Sequence, residues 1–209
     1  MKKIKLTFLI VIVLISALKS EICFSQLGSF DSSYILLSSS SYDYKNPQFD
    51  KSQSSVNYSI KDCIFSYEKW NSTFNSNIAV RFMRFNSLGN EEMLTNDSNL
   101  NINPAVSYFT FQPENNPGAI VYQTNRNGNW DIYFSSIKGG NWSQPFNLTT
   151  GVLNEITPAI VGNTINNINY YLVTYQRERD VFIKSYYNGI WTLKLILPKK
   201  ILYFQALRN

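Results

Sequence analysis

Histidine is absent from the 209 residues. That removes the commonest general base and zinc ligand, so serine–histidine and cysteine–histidine hydrolysis are excluded. Any chemistry must come from aromatic, guanidinium and carboxylate side chains. These gather in polar segments between strand-like runs, as Trp70, Asp97, Arg126, Trp130, Glu155, Arg177, Glu178 and Arg179. An indole beside a guanidinium suits stacking on a sugar or capture of a carboxylate, because the guanidinium forks bidentately and the indole offers an apolar face. Trp70, Arg126, Trp130, Glu155 and Arg177 are therefore the ligand-binding candidates. Arg126 and Arg177 read as one repeat position, which gives them a second reading, the bracing of their own turns. Asn77, Asp131 and Asp180 share another position, at a strand start, where a short acceptor bonds backbone amides of the preceding turn. Glycoside hydrolysis would need two carboxylates about 5–10 Å apart, and equivalent positions in different repeats are spread apart. No catalytic residue, metal site or cofactor is expected. Glu91-Glu92 reads as a solvated turn and Cys63 as a small buried hydrophobe.

The elements that must position these side chains form a repeat. Asn46-Pro47, Asn103-Pro104 and Thr157-Pro158 stand 57 and 54 residues apart, and a leucine (Leu37, Leu94, Leu148) lies ten residues before each proline. After each proline comes a β-branched and aromatic run that ends in a polar residue, Glu68, Gln123 or Gln176. A polar turn follows, then a second run opening at Asn77, Asp131 or Asp180, and Trp142 and Trp191 each stand eleven residues beyond their aspartate. Each unit thus holds four strand-length runs with turn chemistry between them and no helical apolar period. Four-stranded antiparallel units at a fixed period are the mark of propeller blades. The expected fold is all-β: β-propeller blades over 44–94, 101–148 and 155–197, with an outer strand at 33–37, inside a repeat region 26–200, and a tail 201–209. Connections 38–46, 95–103 and 149–157 should emerge with 69–76, 124–130 and 177–179 on one face. Tyr122, Tyr133, Trp142, Phe182 and Trp191 should be substantially buried between neighbouring sheets.

Residues 1–25 have a basic start, an apolar run from Leu6 to Leu18 and small residues up to Ser25, the pattern of a cleaved signal peptide. The run is too short for a membrane span, so the mature chain is expected to be secreted or periplasmic, with no span. Cleavage removes four lysines and one glutamate and lowers the formal charge from +5 to +2. The basic residues that remain are scattered, which speaks against nucleic-acid binding. Of the two cysteines only Cys63 survives cleavage, so packing alone must hold the fold.

The segment Thr124-Asn125-Arg126-Asn127-Gly128-Asn129-Trp130-Asp131-Ile132-Tyr133, followed by Gly139-Gly140-Asn141-Trp142, Leu148-Thr149 and Thr157-Pro158-Ala159, resembles the TolB-like, WD-repeat-like propeller blade. The family's core of Arg, Gly, Asp, Ile and Tyr stands here as Arg126, Gly128, Asp131, Ile132 and Tyr133. The third unit keeps Arg177, Asp180, Val181 and Phe182, and the first has Asn77 in place of the aspartate. The resemblance runs from about Leu37 to Leu197 and implies a propeller fold with a binding or scaffolding role and no shared catalytic residues. The sialidase Asp-box does not fit, since Arg126 stands at its aspartate. The expected function is a non-catalytic propeller that recognises a protein, peptide or carbohydrate (glycan) outside the cytoplasm. The alternatives are a propeller glycosidase or polysaccharide lyase, or a fragment of a larger secreted multidomain protein. A further unit would place a proline at 207, where Leu207 stands. Three units form an open arc that needs another chain or further blades to close.

Overall fold

The computed structural model describes residues 39–51, 63–84, 87–108, 118–138, 140–166 and 168–197. The segment 1–25 expected to be a signal peptide, the strand expected at 33–37 and the tail 201–209 lie outside the described residues. The described part is all-β, without a helix, in three antiparallel sheets of four or five strands. Among the described residues no helix is long and apolar enough to cross a membrane.

The first sheet runs β1 (Asp43–Lys51), β2 (Cys63–Ser72), β3 (Asn75–Arg84), β4 (Ser87–Leu88), with β5 (Glu92–Met93) also on β3. In the second, β6 (Asn101–Tyr108), β7 (Gly118–Thr124) and β8 (Asp131–Lys138) are followed by two short strands on β8, β9 (Asn141–Trp142) and β10 (Phe146–Asn147). The third is β11 (Glu155–Ile165), β12 (Ile168–Arg177), β13 (Asp180–Tyr187) and β14 (Ile190–Leu197). Its last hairpin turns on Asn188 and Gly189, with φ of 46° and 86°. Both central residues of a two-residue turn whose twist matches the strands need positive φ, which Asn and Gly tolerate.

The second sheet is clamped between the other two, and the period of the strand assigns its side chains. Ile120, Tyr122 and Tyr133 face the first sheet and pack with Ile64, Ile78 and Val80. Ala119, Val121, Ile132 and Phe134 face the third and pack with Val173, Tyr175 and Phe182. Every residue of β7 is buried, which explains why its sequence reads as a continuous apolar run rather than an alternation. Tyr122, Tyr133 and Phe182 are buried as their repeat positions require. Trp142 and Trp191 are only half buried. They sit on the last strands of their sheets and lap over a phenylalanine of the sheet before, Trp142 on Phe82 at 6.5 Å and Trp191 on Phe134 at 5.0 Å between ring centroids.

Asn46-Pro47, Asn103-Pro104 and Thr157-Pro158 each form a bulge in the first strand of their sheet. The pairing register slips between Lys45 and Gln48, Ile102 and Ala105, and Ile156 and Ala159. Two residues there oppose one, and the one is a tyrosine each time: Tyr67, Tyr122 or Tyr175. The first bulge residue is left-handed, with φ of 47° at Asn46, 52° at Asn103 and 52° at Thr157. Proline fits the second place because a bulge asks for no ladder donor there.

Candidate functional site

Two of the arginine candidates turn out to do the same structural work by different routes. Arg126 lies in the turn after β7, where its Nη2 donates to Asp97 Oδ2 at 2.8 Å and its guanidinium carbon stands 4.5 Å over the Tyr133 ring. Arg177 is the last residue of β12. Its Nε donates to Glu155 Oε1 at 2.7 Å, its Nη2 reaches the same oxygen, and its guanidinium stands 4.7 Å over Phe182. Tyr133 and Phe182 are equivalent, since they pair with Tyr122 and Tyr175. The arginines are not: Arg177 pairs with Glu155 where Thr124 pairs with Asn101, two residues before Arg126. The reading of one shared repeat position is thus corrected. A longer turn after β7 moves its arginine outward, yet the two guanidiniums cap equivalent rings and neutralise an acid at the entry to their sheet, Asp97 before β6 and Glu155 at the start of β11.

Glu155 is fully buried. Burial raises its carboxyl above the usual range and neighbouring Asp131 adds to this, while Arg177 works against it. Asp97 is lowered: burial opposes this, but a hydrogen bond from Asn101, the Asn99 amide and the Arg126 charge outweigh it. Trp130 serves its turn through the backbone, donating its N–H to Asn154 Oδ1 at 2.9 Å and accepting from the Glu155 amide at 2.7 Å. Asp131 accepts from the side-chain amides of Asn127, Asn129 and Asn147 at 2.8, 3.2 and 2.9 Å. The expected backbone donors are replaced because an asparagine-rich turn brings its own amides to the carboxylate. Asn77 takes a backbone donor, the Asp97 amide at 3.1 Å, from the connection that leaves the sheet and not from the preceding turn.

Glu91 is not a solvated turn residue. It accepts from Tyr67 Oη at 2.6 Å and Lys69 Nζ at 2.5 Å, with Arg81 at 3.9 Å. Burial works to raise its pKa, and those bonds and charges outweigh it and hold the group low. Among the described residues no cluster of three metal-ligating side chains occurs.

Trp70 lies in the first sheet near the C-terminal end of β2, the strand end at which the arginines stand in the other two sheets. Its Nε1 donates to Glu68 Oε2 at 2.7 Å, and Lys45 Nζ lies 4.3 Å over its ring. With Ser39, Ser40, Tyr42 and Asp43 these two line a shallow polar cleft. Glu68 then leads into the other sheets. Its Oε1 accepts the Asn46 side-chain amide and, at 2.7 Å, the backbone N–H of Asn103. Asn103 Nδ2 donates to Gln123 Oε1 at 2.9 Å, and the same oxygen accepts the Thr157 backbone N–H at 2.9 Å. In each of the first two sheets one acceptor therefore binds the bulge side chain of its own sheet and the bulge amide of the next. A second tie follows the same rule, from Tyr108 N–H to Asp50 at 3.0 Å and from Gly162 N–H to Ser107 at 2.8 Å.

The geometry thus brings together Trp70, Lys45 and the bulge residues Asn46, Asn103 and Thr157, and it leaves Arg126, Trp130, Glu155 and Arg177 in intrachain bonds. Glu68 and Gln123 were missing from the candidate residues, although their signal is in the sequence as the polar residue closing each apolar run. No protein-family model matches the chain, and no curated protein is similar to it.

Proposed function

We propose that this chain is an exported, non-catalytic β-propeller binding protein built from TolB-like units, and that it receives a glycan at the polar end of its first strands. The observation that carries this is the run of bulges. Asn46 and Thr157 are exposed and Asn103 is half buried. Hydrogen bonds through Glu68 and Gln123 tie the three into one row, and Glu68 joins its first member to the Trp70 indole. Amide and hydroxyl groups held rigidly beside an aromatic ring suit a sugar's hydroxyls and its apolar face. Adjacency of β1 to β6 and of β6 to β11 supports a propeller, with these as the inner strands of the blades. A glycosidase is disfavoured, because the carboxyl with the raised pKa, Glu155, is sealed from solvent and already holds Arg177.

The test is a glycan array followed by titration calorimetry on material purified from the culture medium, whose intact mass should begin after Ser25. Lys45→Ala should weaken glycan binding by about tenfold or more at an unchanged melting temperature, and Trp70→Ala should weaken it as much with a lower melting temperature, since its Nε1 serves the buried Glu68 carboxylate. Unaltered binding by both variants, or depolymerisation of a polysaccharide by the wild type, overturns the reading.

A further inference from the structure

The junctions between sheets have a leading and a trailing half, and the described structure has one of each left over. On the leading half, Val106 pairs with Ile120 and Ile160 with Val173, and these side chains pack against the sheet before. The same register position in the first sheet holds Phe49 paired with Phe65, and Phe49 is 75% exposed. On the trailing half, Ser107 pairs with Ala119 and both are buried under the third sheet. The third sheet has Val161 paired with Leu172 there, 58% and 40% exposed. The polar ties are left over in the same way. Gln176 stands where Glu68 and Gln123 accept the next bulge amide. Its Nε2 donates to Glu178 O at 2.7 Å, which holds the side chain in place, and its Oε1 has no partner among the described residues. Asn46 stands where Asn103 and Thr157 give that amide to the sheet before.

We infer that this protein pairs head to tail with a second copy, the Val161–Leu172–Gln176 face of one docking on the Asn46–Phe49–Phe65 face of the other. A second copy is the occupant because the two leftover halves match in kind: an acceptor with a donor, an apolar pair with an apolar pair. Val161 replaces the second polar tie with apolar surface, facing an exposed phenylalanine. The inference rests on the propeller reading, under which two chains of three units give a ring of six, within the usual four to eight blades. Such a contact is heterologous, and a two-fold axis between the copies closes it by making it twice.

Sedimentation velocity on the secreted chain should give twice the chain mass. Phe49→Asp and Val161→Asp change exposed side chains on opposite faces, so each variant should fold and sediment as a monomer. A mixture of the two should pair again through the one junction that neither substitution touches. Gln176→Ala should weaken pairing roughly 30- to 100-fold, since the pair loses one hydrogen bond at each of its two junctions. A monomeric wild type overturns the pairing, and so does a mixture that stays monomeric, since a symmetric contact between like faces cannot be complemented that way. Negative-stain images separate the two readings: paired particles without a six-lobed ring keep the pairing and sink the propeller.

Discussion

At Thr157 a β-branched residue holds a left-handed backbone, φ 52°, at a position that is asparagine in the two earlier units. Left-handed geometry disfavours β-branched side chains and is tolerated by asparagine. Asparagine also gives the equivalent acceptor a side-chain donor, as Asn46 does to Glu68 and Asn103 to Gln123. Thr157→Asn should therefore raise stability by about 1 kcal/mol in urea denaturation, without changing the cooperativity of unfolding. Asp97 sets a pH dependence. Its folded pKa is lowered below the ordinary 3.8, so its stabilising contribution is fully present above that value and is lost as pH falls through the folded one. Its side chain is partly exposed and its partner Arg126 is too, which limits the contribution to about 0.5–1 kcal/mol. Asp97→Asn should cost that much at pH 7, and denaturation curves of variant and wild type should converge as the pH is taken well below the ordinary value. Glu155 acts in the opposite sense: with a raised pKa, it stabilises the fold at low pH and loses that contribution as the pH rises through its folded pKa.

Strand by strand, much of this architecture was legible, because turns rich in Asn and Gly and runs rich in β-branched and aromatic residues repeat at a fixed spacing. The bulges and their cross-sheet bonds were not. Asn46-Pro47, Asn103-Pro104 and Thr157-Pro158 served as alignment marks, but the partner of each bulge amide lies 35 residues back for Asn103 and 34 for Thr157. No local period carries a bond of that separation. The depth of the tryptophans was not legible for a related reason: both pack against the core clusters, less deeply than the tyrosines. Equal spacing from Asp131 and Asp180 located Trp142 and Trp191 correctly along the chain, yet burial depends on which strand of a sheet a residue occupies, and these sit on the last ones. Tyr122 sits on a strand covered from both sides. Tyr122→Ala should cost about 3–5 kcal/mol, the range for a fully buried aromatic. Trp142→Ala should cost markedly less, about 1–2 kcal/mol, because part of its surface already faces water. Chemical denaturation of the two variants side by side checks the order, and an equal loss would mean that the lap over Phe82 carries as much of the junction as the core does.

For the molecule as a whole, stability should be graded along the chain. In a stack of repeats each unit is held by its own sheet and by its interfaces with neighbours, so a unit with two interfaces outlasts a unit with one. The second sheet has two, through the cluster around Ile120 and Tyr122 and the one around Val121 and Phe134. Native-state hydrogen exchange should therefore find the slowest amides in β7, at Ile120, Val121 and Tyr122, and faster ones at equivalent hydrogen-bonded places in β2 and β12. The comparison is internal to one chain and made at one register position, that of Phe65, Ile120 and Val173, with protection factors removing the differences in intrinsic exchange. Concentration then adds a second axis. Below the pairing threshold the β7 amides should stand alone as the most protected. Above it the third sheet gains a second interface, and protection in β12 should climb toward that of β7 while β7 itself changes little. Uniform protection across the three sheets at every concentration would show that the chain opens as one unit, and the nearest-neighbour account of its stability would fail.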